Sequence, residues 1–152
     1  MFNNDIVIKG KHGTWMKLLA GQNSAKSPIT VFKRNLDLLM IAPLVGVIYN
    51  KPVEEDNSDD KATVLLAQVV GEKENLELIH RIVILKDNSK GKTNDEKVDL
   101  AFRHDSDMDL FMRYVRGGIE YIYEYLNEST TTRDDCYEKL KNLLGDIKSY
   151  IQ

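Results

Sequence analysis

The chain has 152 residues, 42% apolar and 30% charged, which fits one globular domain with its own core and excludes a disordered polypeptide. Its single cysteine, Cys136, excludes an internal disulfide and any cysteine-based zinc cluster. The net charge of −3 is unevenly spread: residues 1–53 hold seven Lys or Arg against Asp5 and Asp37, and the remainder holds fourteen against twenty-two acids.

In chain order, Met1–Asp5 has no basic segment followed by an apolar core of leader length, so a cytoplasmic protein is expected. Asp5–Lys9 reads as a short strand or an extended arm. Thr14–Ala20 reads as a short helix that turns Trp15, Leu18 and Leu19 inward. Phe32–Gly46 is a helix-like apolar block with Pro43 near its middle, where proline costs about 3 kcal/mol relative to alanine. The longest apolar stretch, Leu38–Tyr49, is interrupted by Pro43 and too short to span a bilayer.

Lys51–Asp60 is a polar loop. A helix is expected over Asp60–Val70, capped by Asp59 and ended by Gly71. Asn75–Lys86 is a further helix with Leu76, Ile79, Ile82 and Val83 on one face, although its β-branched end also fits a strand. Asp87–Thr93 is a loop, and Asn94–Arg103 a helix capped by Thr93 with Asp95 and Glu96 in its first turn. Asp107–Leu126 carries Met108, Phe111, Met112, Val115, Ile119, Ile122 and Leu126 on one stripe, with Asp105 or Ser106 as cap. Arg133–Gln152 repeats that pattern with Cys136, Leu140, Leu143, Leu144, Ile147 and Ile151, capped by Thr132. The expected fold is an all-α, mainly helical single domain over residues 1–152, with roughly six helices and a short N-terminal strand or arm.

No catalytic or cofactor constellation emerges from these elements. The acids from Asp105 fail the calcium-loop pattern, which needs glycine at its sixth position and glutamate at its twelfth; Leu110 and Arg116 stand there. Gly91-Lys92-Thr93 fails the phosphate-loop pattern because Lys86 stands where its first glycine belongs. His12, His80 and His104 lack the spacing of a helical metal site. No enzyme activity, metal or cofactor is expected.

The remaining candidates are cations. Lys9, Lys11, Lys17, Lys33 and Arg34 cluster in the first third near Trp15 and Phe32, and Arg113 and Arg116 sit off the apolar stripe of their helix. Basic residues with aromatics among them can hold a phosphate backbone and stack a base. The same pattern equally describes core aromatics beside solvated lysines, and the acidic total lacks the high pI of a committed nucleic-acid binder. The glycine pair Gly117-Gly118 interrupts the strongest helix. Gly118 lies on its apolar side, where the Leu39–Gly46 helix is expected to cross with Ala42 or Gly46 opposite, while Gly117 is expected to be exposed.

Three blocks then share an order. Asp37-Leu38-Leu39-Met40-Ile41-Ala42 leads to Gly46; Leu65-Leu66-Ala67 precedes Glu74-Asn75-Leu76-Glu77; and Gly117-Gly118-Ile119 closes the set. In this order the chain resembles, over about residues 28–126, a family of small accessory proteins found beside DNA phosphorothioation (Dnd-type) modification and restriction genes. It departs from that pattern at Pro43 and in the acidic character of the loop after Tyr49. The resemblance implies no catalytic residues. It implies a non-enzymatic accessory protein of a bacterial DNA-modification or anti-phage defence system, working through a protein partner. Two alternatives stand beside it: a DNA-binding module using the basic first third, and a small acidic inhibitor or immunity protein of a nuclease.

Overall fold

The computed structural model describes residues 1–21, 27–88, 91–102, 108–128 and 132–151. Its elements run β1 (Ile6–Lys9), α1 (Gly10–Leu19), α2 (Asn35–Ile48), β2 (Lys61–Val64), α3 (Leu66–Gly71), α4 (Lys73–Lys86), α5 (Asn94–Ala101), α6 (Met108–Asn127) and α7 (Arg133–Ile151). The protein is mainly helical, with seven helices and one two-stranded sheet among the described residues.

The largest departure from the sequence expectation lies at residues 60–71. In place of one helix over Asp60–Val70 capped by Asp59, Lys61–Val64 forms β2 and only Leu66–Gly71 is helical. Lys-Ala-Thr-Val alternates exposed and buried positions as Ile-Val-Ile-Lys does in β1, and the two pair antiparallel with Ile8 opposite Ala62. The stabilising partner is remote in the chain, so helix periodicity over a short window misses it.

α1 starts four residues earlier than expected. Its buried face is His12, Met16 and Leu19, while Trp15 is half-buried and Leu18 is 38% exposed. α2 is buried on nearly every side, through Leu36, Leu38, Leu39, Ala42, Pro43, Val45, Gly46 and Val47, as befits a central helix. It ends where Asn50 adopts φ +50°. The Asn50 amide donates to the Val47 carbonyl and the Lys51 amide to the Gly46 carbonyl, which satisfies the last turn and reverses the chain.

α6 packs across α2 as the Gly118 argument requires. A Cβ at Gly118 would strike the backbone of Ala42, and one at Gly46 would strike the carbonyl of Tyr114. Gly117 corrects its expectation: it is buried, with the Lys51 carbonyl occupying the space its side chain would need. The reversal at Asn50 lays the chain directly over α6 there.

The later helices follow the sequence closely. α4 is helical to Lys86, not a strand, and α6 buries Phe111, Val115, Ile119, Ile122 and Leu126. Thr93 Oγ1 accepts from the Glu96 amide, and Thr132 Oγ1 from the Asp135 amide, as the capping argument anticipates. α7 buries Cys136, Leu140, Leu143 and Ile147 but leaves Leu144 exposed. The caps expected at Asp105 and Ser106, and His104, lie outside the described residues.

Candidate interaction surface

The loop between α2 and β2 is an acidic strap tied to two helices. The Val53 amide donates to the Arg113 carbonyl, and Arg116 Nε donates to the Val53 carbonyl at 2.8 Å. Arg113 pairs with Glu54 at 3.1 Å and with Asp109 within its own helix, while Arg116 lies 4.0 Å from Glu55. Farther along, Asp56 accepts from the Lys11 amide and from Ser58, so its carboxylate sits on the first turn of α1. Asp60 then accepts from Thr14 and Lys17.

This strap engages the side chains of three of the seven sequence-selected cations, Lys17, Arg113 and Arg116. The sequence places Arg116 on the exposed side of α6, yet it is 5% exposed and anchors the strap. Burial lowers its pKa, against the opposing effects of Glu55, Asp109 and Glu54. Arg113 is half-buried in its two ion pairs, and Lys17 is bound to Asp60. Arg34 is also engaged: its amide and guanidinium both donate to Asp37, so the α2 N-terminus already carries a carboxylate instead of awaiting a phosphate. Lys11 extends over the Trp15 ring, 5.5 Å from its centroid. Lys9 and Lys33 are exposed and make no ion pair among the described residues. Of the seven, Lys17, Arg34 and Arg113 are thus ion-paired and Arg116 is buried.

Lys33 borders a shallow hollow of about 480 Å³ together with Thr30, Phe32, Arg34 and Tyr137. Elsewhere, His12 is fully buried between α1 and α6. Its Nε2 lies 3.4 Å from Glu120 Oε2, its Nδ1 has no partner among the described residues, and its ring meets Trp15 edge-on. Burial pushes the imidazole pKa down, against the raising effect of Glu120. Trp15 stacks on Tyr123, and Tyr49 on Tyr121, so both half-buried rings are packing partners of α6.

Comparison with protein-family models, curated proteins and solved structures returns no match. The residues themselves carry the functional argument. Among the described residues, no group of three His, Cys, Asp or Glu side chains could hold a metal, and no helix is long and apolar enough to cross a membrane.

What the surface does offer is uncovered apolar area. Leu65 (58% exposed), Leu66 and Val70 open from α3 and the residue before it, Leu78 from α4, and Val98 and Phe102 (64% exposed) from the α5 region. Sequence reasoning missed Lys61 altogether, because it assigned that residue to a helix. Lys61 in fact stands directly across the sheet from Lys9. The period-two alternation of Lys61-Ala62-Thr63-Val64 was the available signal.

Asp60 offers a direct check on the strap. The Lys17 ammonium and the Thr14 hydroxyl hold its pKa at about 2, below the ordinary 3.8. A carboxylate with a depressed folded pKa stabilises the fold above its unfolded pKa, and that contribution disappears as pH falls from about 4 through about 2. Carboxyl NMR titration should place Asp60 at the foot of that window. Lys17→Gln should move it back toward 3.8, and an unmoved midpoint would contradict the pairing.

Proposed function

We propose that the protein is a non-enzymatic accessory protein of a bacterial DNA-modification or anti-phage defence system, working in the cytoplasm through protein–protein contacts. The observation that carries the contact reading is the set of large apolar side chains left exposed: Leu65, Leu66 and Val70 around the six-residue α3, Leu78 on α4, and Val98 and Phe102 in the α5 region. A group of large apolar side chains exposed on neighbouring elements is a common mark of a partner site. The ordered three-block resemblance supplies the defence setting. The ion pairs of Lys17, Arg34 and Arg113, with the burial of Arg116, reduce the charge available to a phosphate backbone.

The test is affinity capture with the tagged protein co-expressed with the products of its neighbouring genes. Retention of one of them through a high-salt wash is expected, because apolar contacts persist where surface ion pairs are screened. Capture of none overturns the reading. A gel shift with duplex, nicked or single-stranded DNA that fades steeply with salt would put a DNA-binding role in its place.

A further inference from the structure

β1 and β2 pair with Val7 opposite Thr63 and Lys9 opposite Lys61. Two hydrogen bonds fix the character of these pairs. The Gly10 amide donates to the Asp60 carbonyl, and Asn35 Nδ2 donates to the Thr63 carbonyl from outside the sheet. Lys9–Lys61 and Val7–Thr63 are therefore the non-hydrogen-bonded pairs, whose Cα atoms approach to about 4.5 Å and whose side chains stand closest. Ile6, Ile8, Ala62 and Val64 face the core, which leaves Val7, Lys9 and Lys61 exposed on the outer face.

Like charges directly opposite one another in a sheet destabilise it. Among the described residues neither lysine forms an ion pair, whereas Lys17, Arg34, Lys51 and Arg113 are paired with carboxylates. The same geometry leaves the Val7 amide and carbonyl and the Lys9 amide pointing away from β2. Among the described residues no third strand covers that edge.

We infer that this edge receives an extended acidic segment of a protein partner, which adds to β1 as a third strand and sets acidic side chains beside Lys9, with Lys61 one strand farther on the same face. The inference rests on the protein–protein reading above and names the surface and the partner's chemistry. Strand addition supplies main-chain hydrogen bonds, and charge on alternate residues supplies selectivity. A nucleic acid offers phosphates to the lysines but no peptide groups to the edge, and it would face Asp56, Asp59 and Asp60 just beyond. An acidic peptide meets those carboxylates too, but the edge amides compensate it.

The probe is a fluorescent synthetic peptide of alternating glutamate and valine, followed by anisotropy at low salt, with a lysine–valine peptide and duplex DNA as controls. The Glu–Val peptide should bind, slow hydrogen exchange at the Val7 and Lys9 amides, and weaken about tenfold or more with the Lys9→Glu/Lys61→Glu double variant. That variant keeps a like-charged pair, so its melting temperature should match the parent's. Lys61→Glu alone sets opposite charges across the sheet and should melt above the parent; a lower melting temperature would refute the register. Equal peptide affinity for parent and double variant, unchanged exchange at Val7 and Lys9, or displacement of the peptide by DNA overturns the inference. In affinity capture, a partner retained equally by the double variant rejects this surface while leaving the accessory reading intact. Failure of the parent to capture any partner strikes that reading itself.

Discussion

Replacing Gly117 by alanine is expected to lower stability by about 3 kcal/mol, the upper part of the range for overpacked sites. The added methyl would collide with the Lys51 carbonyl, and a backbone atom cannot swing aside as a flexible side chain does. Lys51 is further held by its own amide, which donates to the Gly46 carbonyl at 2.8 Å. Gly118→Ala meets the Ala42 backbone in the same way, and Gly118→Leu should fail to fold. Gly145, within α7, has nothing within 4 Å of its would-be Cβ. Gly145→Ala should therefore stabilise by about 0.5–1 kcal/mol through helix propensity alone. Urea unfolding of the variants separates the cases. A neutral Gly117→Ala would mean that the chain after Asn50 does not lie on α6.

The second large effect is expected at Arg116. Arg116→Met keeps much of the buried aliphatic stem but removes the donor to the Val53 carbonyl and the charge near Glu55. Hydrogen bonds made by a charged group contribute about 1.5–3 kcal/mol, and the loss should fall in that range. The strap should loosen with it, so the Val53 amide, now donating to the Arg113 carbonyl, should exchange markedly faster. Unchanged protection at Val53 would show that Arg113 and the Asn50 reversal hold the strap without Arg116.

These two expectations mark where the sequence stopped being legible. The Gly118 crossing could be read from one helix, because a glycine on an apolar stripe calls for a close neighbour and the Ala42–Gly46 face supplies small residues. Gly117 and Arg116 could not. Both face a loop whose path is set by a left-handed Asn50, and nothing in a polar run such as Lys-Pro-Val-Glu-Glu announces that it will fold back on α6. The α6 and α7 helices and the Thr93 and Thr132 caps depend on residues three or four apart, so local pattern sufficed for them. β2 depends on a partner more than fifty residues away, and its misassignment concealed the Lys9–Lys61 pair. The cations chosen for their charge met the same difficulty, since strap acids engage Lys17, Arg113 and Arg116, with Asp109 of α6 itself as a second partner of Arg113.

The strap also bears on how quickly the chain can reach this structure. Helical proteins usually fold fast because their contacts join near neighbours in sequence. Here Arg116 reaches Val53 across 63 residues, Lys51 reaches Glu124 across 73, and His12 reaches Glu120 across 108. The α2–α6 crossing cannot form until α3, α4 and α5 have been closed into a loop, and that closure loses chain entropy before any packing offsets it. Despite its helices, the molecule joins segments far apart in sequence, and stopped-flow refolding should find it slower than a simple helical bundle of its length.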